Sequence, residues 1–209
     1  VDPIDDNYRV VYQIFVGSFS DSNNDGIGDL KGIINRLDYL NDGDINSGKS
    51  LGVQLLWLSP IFKSPSYHKY DVSDYYSIDS DFGSEEDLKE LITKCHERNV
   101  KVILDVAINH TSTSHRWFQE SRKGKDNPYS DFYYWFDEKP NDWKSVFRGS
   151  AWEFDPVRGQ YYLHSFAVSQ ADLNWENPAV VKAMKETVDF WIDKGVDGFR
   201  VDVVDMISK

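Results

Sequence analysis

Blocks of apolar residues separated by polar and glycine-rich stretches divide the 209-residue chain. Val10-Val11-Tyr12-Gln13-Ile14-Phe15-Val16, Val53-Gln54-Leu55-Leu56-Trp57-Leu58, Val100-Lys101-Val102-Ile103-Leu104-Asp105-Val106-Ala107-Ile108 and Gly198-Phe199-Arg200-Val201-Asp202-Val203-Val204 are rich in β-branched and aromatic residues. These runs are predicted strands. Helical spacing relates Leu30, Ile33, Ile34, Leu37 and Leu40, with a stop at Asn41-Asp42-Gly43, and again Leu88, Leu91, Ile92 and Cys95 behind a Ser84 cap. A third helix opens at Asn177-Pro178, carries Val181, Met184, Val188, Trp191 and Ile192 as its expected buried stripe, and ends at Gly195. The order β-α-β-α-β, with strands apolar on both faces, predicts a parallel sheet covered by helices.

Residues 111–176 interrupt this rhythm. They are polar and aromatic, with a short helical signal at Trp117-Phe118 and a strand-like alternation in Tyr161-Tyr162-Leu163-His164-Ser165-Phe166. That length is too great for an ordinary connection and predicts an inserted small domain. The expected organisation is βα units 1 and 2 with strand 3 over residues 1–110, the insert over 111–176, and helix 3 with strand 4 over 177–209.

A formal charge of −12 makes nucleic acid and anionic membranes poor partners, and no apolar run is long enough to span a bilayer. The lone Cys95 rules out an internal disulfide framework. Aromatic residues make up 15% of the chain, which suits either a sugar-binding cleft or a packed core. Composition leaves both open, and leaves compartment open as well.

Candidate chemistry gathers at the carboxyl ends of the predicted strands, where βα architectures place reactive groups. Arg200 and Asp202 alternate in strand four and so share a face; a carboxylate beside a guanidinium stays ionised. By itself this pattern also describes a structural ion pair. Asp105 and Asn109 lie four apart on strand three, followed by His110, and Tyr67-His68-Lys69-Tyr70-Asp71 occupies the loop after strand two. Near the start, Asp21-Ser22-Asn23-Asn24-Asp25-Gly26-Ile27-Gly28-Asp29 sets oxygen side chains at every second position, the spacing of a calcium loop. Asp21, Asn23, Asp25, the Ile27 carbonyl and Asp29 are the candidate ligands. Gly32 stands where an EF-hand needs glutamate, and a solvated turn with Asp29 as helix N-cap fits the same residues.

Asp105-Val106-Ala107-Ile108-Asn109-His110 and Gly198-Phe199-Arg200-Val201-Asp202 resemble two signature regions of the alpha-amylase superfamily of glycoside hydrolases. Ser121-Arg122-Lys123-Gly124-Lys125-Asp126-Asn127, Gly149-Ser150-Ala151-Trp152, Tyr161-Tyr162-Leu163-His164 and Asp172-Leu173-Asn174-Trp175 look most similar to its oligo-1,6-glucosidase and alpha-glucosidase branch. The loop around residues 41–50 and Ser66-Tyr67-His68-Lys69-Tyr70-Asp71 also resemble some bacterial alpha-amylases. The resemblance implies the first half of a (β/α)8 TIM barrel, strands one to four, with a small domain inserted after strand three.

It further implies Asp202 as nucleophile with Arg200 holding it ionised, His110 and Asp71 bonding the sugar, Tyr70 stacking beneath it and His68 lining the pocket. Asp105 would position Arg200, and Asn109 would support the site. The loop over residues 21–29 binds calcium or magnesium in many relatives; no organic cofactor is expected. Asn109 and Asp172 occupy ligand positions for the structural calcium that many amylases hold between strand three and the insert, but Val203-Val204-Asp205-Met206-Ile207-Ser208-Lys209 lacks their Lys-His pair and ends like the glucosidases, where a lysine tends to replace that ion. Valine directly after the nucleophile resembles enzymes that accept alpha-1,6 bonds.

The family's acid/base glutamate follows a fifth strand, so the chain reads as the N-terminal half of a longer protein, inactive without the other half of its barrel. The expected substrate is an alpha-glucan or a malto- or isomalto-oligosaccharide. An endo-acting alpha-amylase, a sugar-transferring enzyme and a non-catalytic glucosidase-like ectodomain of a transporter complex are the alternative readings.

Overall fold

A computed structural model describes residues 10–209; residues 1–9, at the head of the predicted 1–110 segment, lie outside the described residues. Contacts divide the chain into two compact units, each assembled from separated stretches. The first ends its opening stretch at Ile61 and adds Ile78–Asp105 and Trp191–Arg200; the second comprises Phe62–Ser77, Val106–Phe190 and Val201–Lys209.

A four-stranded sheet of β1 (Val11–Ile14), β2 (Leu55–Leu58), β3 (Lys101–Ala107) and β4 (Gly198–Asp202), in that spatial order, gives the first unit its strands, with β3 as far as Asp105 and β4 as far as Arg200. β1 pairs parallel with β2, Val11 opposite Leu55, and β2 pairs parallel with β3, Leu55 opposite Lys101. The strands were expected to be apolar and buried on both faces. Instead Ile14, Leu56, Leu58, Val102 and Leu104 are buried on one face, while Val11 is 52% exposed and Leu55, Trp57 and Ile103 are half-buried on the other. The second face also carries Gln13 and Asp105, in step with the two-residue period of a strand.

Helix signals are met with adjustments. Asp29 caps α1 (Leu30–Ile34) by accepting the Gly32 N–H at 2.6 Å. The helix predicted to run on to Leu40 breaks at Asn35 and Arg36, where the Arg36 N–H turns back to Ile33 O, and resumes as α2 (Leu37–Leu40). Gly32 is required by close approach: a Cβ there would lie 1.7 Å from the Ser20 carbonyl oxygen. α3 (Glu85–His96) has the full reciprocal cap, Ser84 accepting from Asp87 N and Asp87 from Ser84 N, and buries Leu88, Leu91, Ile92 and Cys95 as the spacing predicts. Asp197 ties β4 into the sheet before the strand begins. Its carboxylate accepts from Val102 N at 2.8 Å and Lys101 Nζ at 2.9 Å and meets His96 Nε2 at 2.7 Å.

The second unit contains all of residues 111–176. Trp135–Phe136, Gln160–Leu163 and Trp152–Asp155 form an antiparallel three-stranded sheet with the Gln160 strand central, and His110–Ser112 pairs antiparallel with Gln170–Asp172. Its core is aromatic. Phe118, on α4 (Arg116–Ser121), packs edge-on against Tyr133 and Tyr162 at 5.2 and 5.1 Å between centroids. Trp117 meets Phe132 at 5.3 Å.

In α5 (Pro178–Asp193), Asn177 Oδ1 accepts from Ala179 N as a cap, but the buried stripe differs from the expected one. Val180, Met184, Thr187 and Trp191 are buried, whereas Val181 and Ile192 are about half exposed at 44% and 45%. The spacing 4, 3, 4 is a better helical repeat than the one that hydrophobicity alone picks out, and it tolerates Thr187 because its hydroxyl is satisfied by the Ala183 carbonyl at 3.1 Å.

His115 caps α4 with its Nδ1, which accepts the Trp117 N–H at 3.0 Å, and its ring lies 4.5 Å from Trp117 and 5.5 Å from Tyr75. Burial pushes its pKa down to about 4, against the opposing pull of Asp74. The folded value lies below the ordinary one near 6.5, so the unfolded chain takes up this proton first. Stability from neutral His115 is therefore complete above about pH 6.5 and is lost as pH falls toward 4, by at most about 3 kcal/mol. Urea unfolding measured between pH 7 and pH 4.5 should show this decline, and His115→Asn, which keeps a capping oxygen, should make it shallower. An unchanged slope in the variant would refute the assignment.

Candidate active site

In the first unit the site begins with Asp105, 1% exposed near the carboxyl end of β3. Arg200 on β4 donates through Nη1 to both of its oxygens, at 3.1 and 3.3 Å. Trp57 on β2 donates its indole N–H to Oδ2 at 3.1 Å, and the Arg200 guanidinium carbon lies 5.2 Å from the centre of the Trp57 ring. A buried carboxylate is thus met by donors from the strands on both sides. Trp57 has no signal in the sequence beyond its place in an apolar strand; the register that sets it beside Ile103, on the Asp105 face, is what reveals it.

In the second unit the loop after β2 folds onto Asp71, 4% exposed. Asp71 Oδ1 accepts from Ser64 Oγ at 2.7 Å and from Ser66 Oγ, and His68 Nδ1 stands 3.9 Å away. The His68 Nδ1 accepts the Tyr70 N–H at 3.1 Å, with the two rings 6.0 Å apart. Lys69 between them adopts φ 61°, a left-handed kink that turns the chain back. Ser64 was not singled out in the sequence, and Ser66 entered only as the first residue of the Ser66–Asp71 segment, with no role of its own.

His110 is 1% exposed. Its Nε2 lies 3.2 Å from Tyr70 O and 3.1 Å from Gln170 Nε2, and its Nδ1 lies 3.2 Å from Asn109 Nδ2. Burial lowers its pKa from the ordinary value, against the charges of Asp172, Asp202 and Asp71 and the Tyr70 carbonyl, which pull the other way. Asp202 and Asp71 therefore both act electrostatically on His110. Asp202 ends β4, and the next residue, Val203, is left-handed at φ 41°, ψ 44°, a conformation that β-branched residues seldom adopt. The strand thus stops at Asp202 itself.

Beside His110 is a buried ionic joint. Lys209 Nζ donates to Asn109 Oδ1 at 2.8 Å, to Asp172 Oδ2 at 2.5 Å and to the Met206 carbonyl. Asp172 is fully buried and also accepts from Ser165 N at 2.8 Å and Ser165 Oγ at 2.5 Å. The ammonium thus meets one oxygen of Asn109 and one of Asp172.

The loop over residues 21–29 lies in the first unit. Asp21 accepts from the N–H groups of Gly26, Asn23 and Asn24, and the Gly26 bond leads the causes that hold its pKa below the ordinary value. Asp25 accepts from Ile27 N and from Asn23 Nδ2, and Asp29 from Ser22 N and Gly32 N. The donors are all oxygen, the chemistry of a hard cation. Among the described residues, however, no group of three or more His, Cys, Asp or Glu side chains is gathered as metal ligands.

Residues 13–209 match the model of the alpha amylase catalytic domain. The chain belongs to that family. An oligo-1,6-glucosidase of Parageobacillus thermoglucosidasius is 54% identical over 205 residues, covering 96% of this chain and 35% of that protein. An alpha-glucosidase of Schizosaccharomyces pombe is 50% identical over 209 residues, covering 95% and 35%. Among solved structures, the trehalose-6-phosphate hydrolase of Bacillus licheniformis superposes with a TM-score of 0.89 at 51% identity, covering 96% of this chain and 36% of that one. The trehalulose synthase of Pseudomonas mesoacidophila MX-45 gives the same TM-score at 45% identity. The chain spans about a third of the length of these relatives. The sheet β1 to β4 is thus an N-terminal part of an alpha-amylase-family barrel domain.

Trp57→Phe keeps the ring beside Arg200 and removes the donor to Asp105. It should destabilise the protein by about 1–2 kcal/mol, the cost of leaving a buried acceptor short of one partner. Denaturant unfolding checks this, and an unaltered midpoint would show the indole bond to be dispensable.

Proposed function

We propose that this chain supplies the nucleophile of a retaining hydrolase of alpha-glucosidic bonds in short oligosaccharides, of the oligo-1,6-glucosidase and alpha-glucosidase type. The observation that carries the reading is the position of Asp202. It follows Arg200 by two residues on β4, Arg200 is locked to buried Asp105, and Asp202 bears on the same imidazole as Asp71. Membership of the alpha-amylase family supports the same chemistry.

In this reading Asp202 attacks the anomeric carbon, the glycosidic C–O bond breaks, and a second carboxyl group about 5–5.5 Å away protonates the leaving oxygen. Water, activated by that second group, then releases the sugar with net retention. His110 and Asp71 bond the sugar hydroxyls, Tyr70 stacks beneath the ring and His68 lines the pocket. Arg200 precedes the nucleophile by two residues on β4, and Asp105 and Asn109 act by positioning their neighbours.

A second reading is sugar transfer, in which another sugar takes the place of water. It is favoured by the likeness to a trehalulose synthase, whose superposition is as good as that of the hydrolase. Calcium or magnesium at Asp21, Asn23, Asp25, the Ile27 carbonyl and Asp29 is also part of the proposal, supported by the all-oxygen donors around one turn. The ion would brace that loop against α1 and take no step in the reaction.

In the full-length protein, Asp202→Asn should lower hydrolysis of an aryl alpha-glucoside by at least about 10⁴-fold while leaving the melting temperature within a few degrees. Retained turnover would overturn the assignment. Product analysis on isomaltose, maltose, starch and sucrose separates exo-hydrolysis from endo-hydrolysis and from isomerisation. Calcium titrated into chelator-treated protein should raise the melting temperature, and Asp25→Ala should abolish the rise. A melting temperature indifferent to calcium and magnesium would eliminate the ion.

A further inference from the structure

Buried imidazoles are defined by which nitrogen carries the proton, and the neighbours of His110 are unusually asymmetric. Asn109 cannot present its amide either way round. Its Oδ1 receives the Lys209 ammonium at 2.8 Å, so rotating the amide would set an NH2 group against a cation. The amide nitrogen is therefore directed at His110 Nδ1, 3.2 Å away, and can only donate. A donor at Nδ1 requires that nitrogen to be the bare acceptor. On the far side of the ring the Tyr70 carbonyl, 3.2 Å from Nε2, can only accept and requires a proton there. One contact opposes these two. Gln170 Nε2 lies 3.1 Å from His110 Nε2, and Gln170 Oε1 is engaged by the Ala167 N–H at 3.0 Å.

We infer that Lys209, acting through the Asn109 amide, sets the tautomer of His110, fixing the proton on Nε2 so that the imidazole offers a donor rather than an acceptor. Lys209 and Asn109 are positioning residues, and the cation is itself held in place. Its side chain is 10% exposed and clamped by fully buried Asp172, the Met206 carbonyl and, at 3.4 Å, Ser165 Oγ. The ammonium carries no proton to or from the ring. It acts by making one of the two amide orientations untenable, and burial keeps the ring neutral so that a single tautomer is at stake.

The consequence for the sugar rests on the reading of His110 as a substrate contact, but the tautomer is measured without it. Full-length protein labelled with ¹⁵N-histidine, its His110 signal assigned by loss in His110→Gln, should show a pyridine-type Nδ1 and a protonated Nε2 in long-range ¹H–¹⁵N spectra. Lys209→Met should give a mixture of tautomers and lower kcat/KM roughly tenfold, about the worth of one hydrogen bond, and Lys209→Arg should restore both. Asn109→Asp, which puts an acceptor opposite Nδ1 without changing size, should move the proton to Nδ1 or load both nitrogens.

A protonated Nδ1 in the unaltered protein, or a tautomer unmoved in both Lys209→Met and Asn109→Asp, would overturn the inference. If Lys209→Met does not fold, the unaltered protein and Asn109→Asp decide it. A shifted tautomer with unchanged kcat/KM would uphold the relay and instead remove His110 from the sugar contacts.

Discussion

A carboxylate stripped of water in the middle of a sheet has to be compensated by donors, and Asp105 is the constraint on which the first unit turns. An uncompensated charge there would cost several kcal/mol, more than most single contacts return. Its compensation comes from Trp57 on one flanking strand and Arg200 on the other, so the charge requirement doubles as a requirement on strand order and register. A slip of one residue in either neighbour would turn its donor to the opposite face. The same geometry commits β4 to showing Arg200 on the Asp105 side and, by the two-residue period, Asp202 with it.

The second unit solves a different problem. Its strands are short, and side chains satisfy part of its backbone: Arg158 donates to the carbonyls of Ser121 and Ser130, with its guanidinium 4.6 Å from the Trp135 ring, and Tyr133 shares a hydrogen bond with Thr111. Aromatic edges packed at 5.1 to 5.3 Å give it a core. Trp117, Phe118, Phe132, Tyr133 and Tyr162 are aromatics that this core takes up.

What the sequence made legible was whatever depends on neighbours close along the chain. The apolar runs of β2 and β3, the reciprocal cap on α3 and the Asn177-Pro178 start of α5 are local signals, and all correspond to elements found. The break at Asn35 and the burial of Val180 and Thr187 in place of Val181 and Ile192 were not legible, because they depend on what each helix faces. The candidate site divides in the same way. Motifs named Asp105, Asn109, His110, Arg200 and Asp202, whereas Trp57 and Gln170 emerge only from pairing across distances that no spacing rule encodes, and Ser64 from the way its own loop folds onto Asp71.

Lys209 gives the neighbourhood of His110 a cation that is part of the polymer. A diffusible ion at the same place would come and go with its concentration in the surrounding fluid, and chelators would extract it. A tethered ammonium is present at a fixed, high effective concentration whenever the fold is intact. Its partners Asn109 and Asp172 therefore answer to the folding equilibrium alone, and this joint keeps its charge balance in fluids scarce in divalent metal.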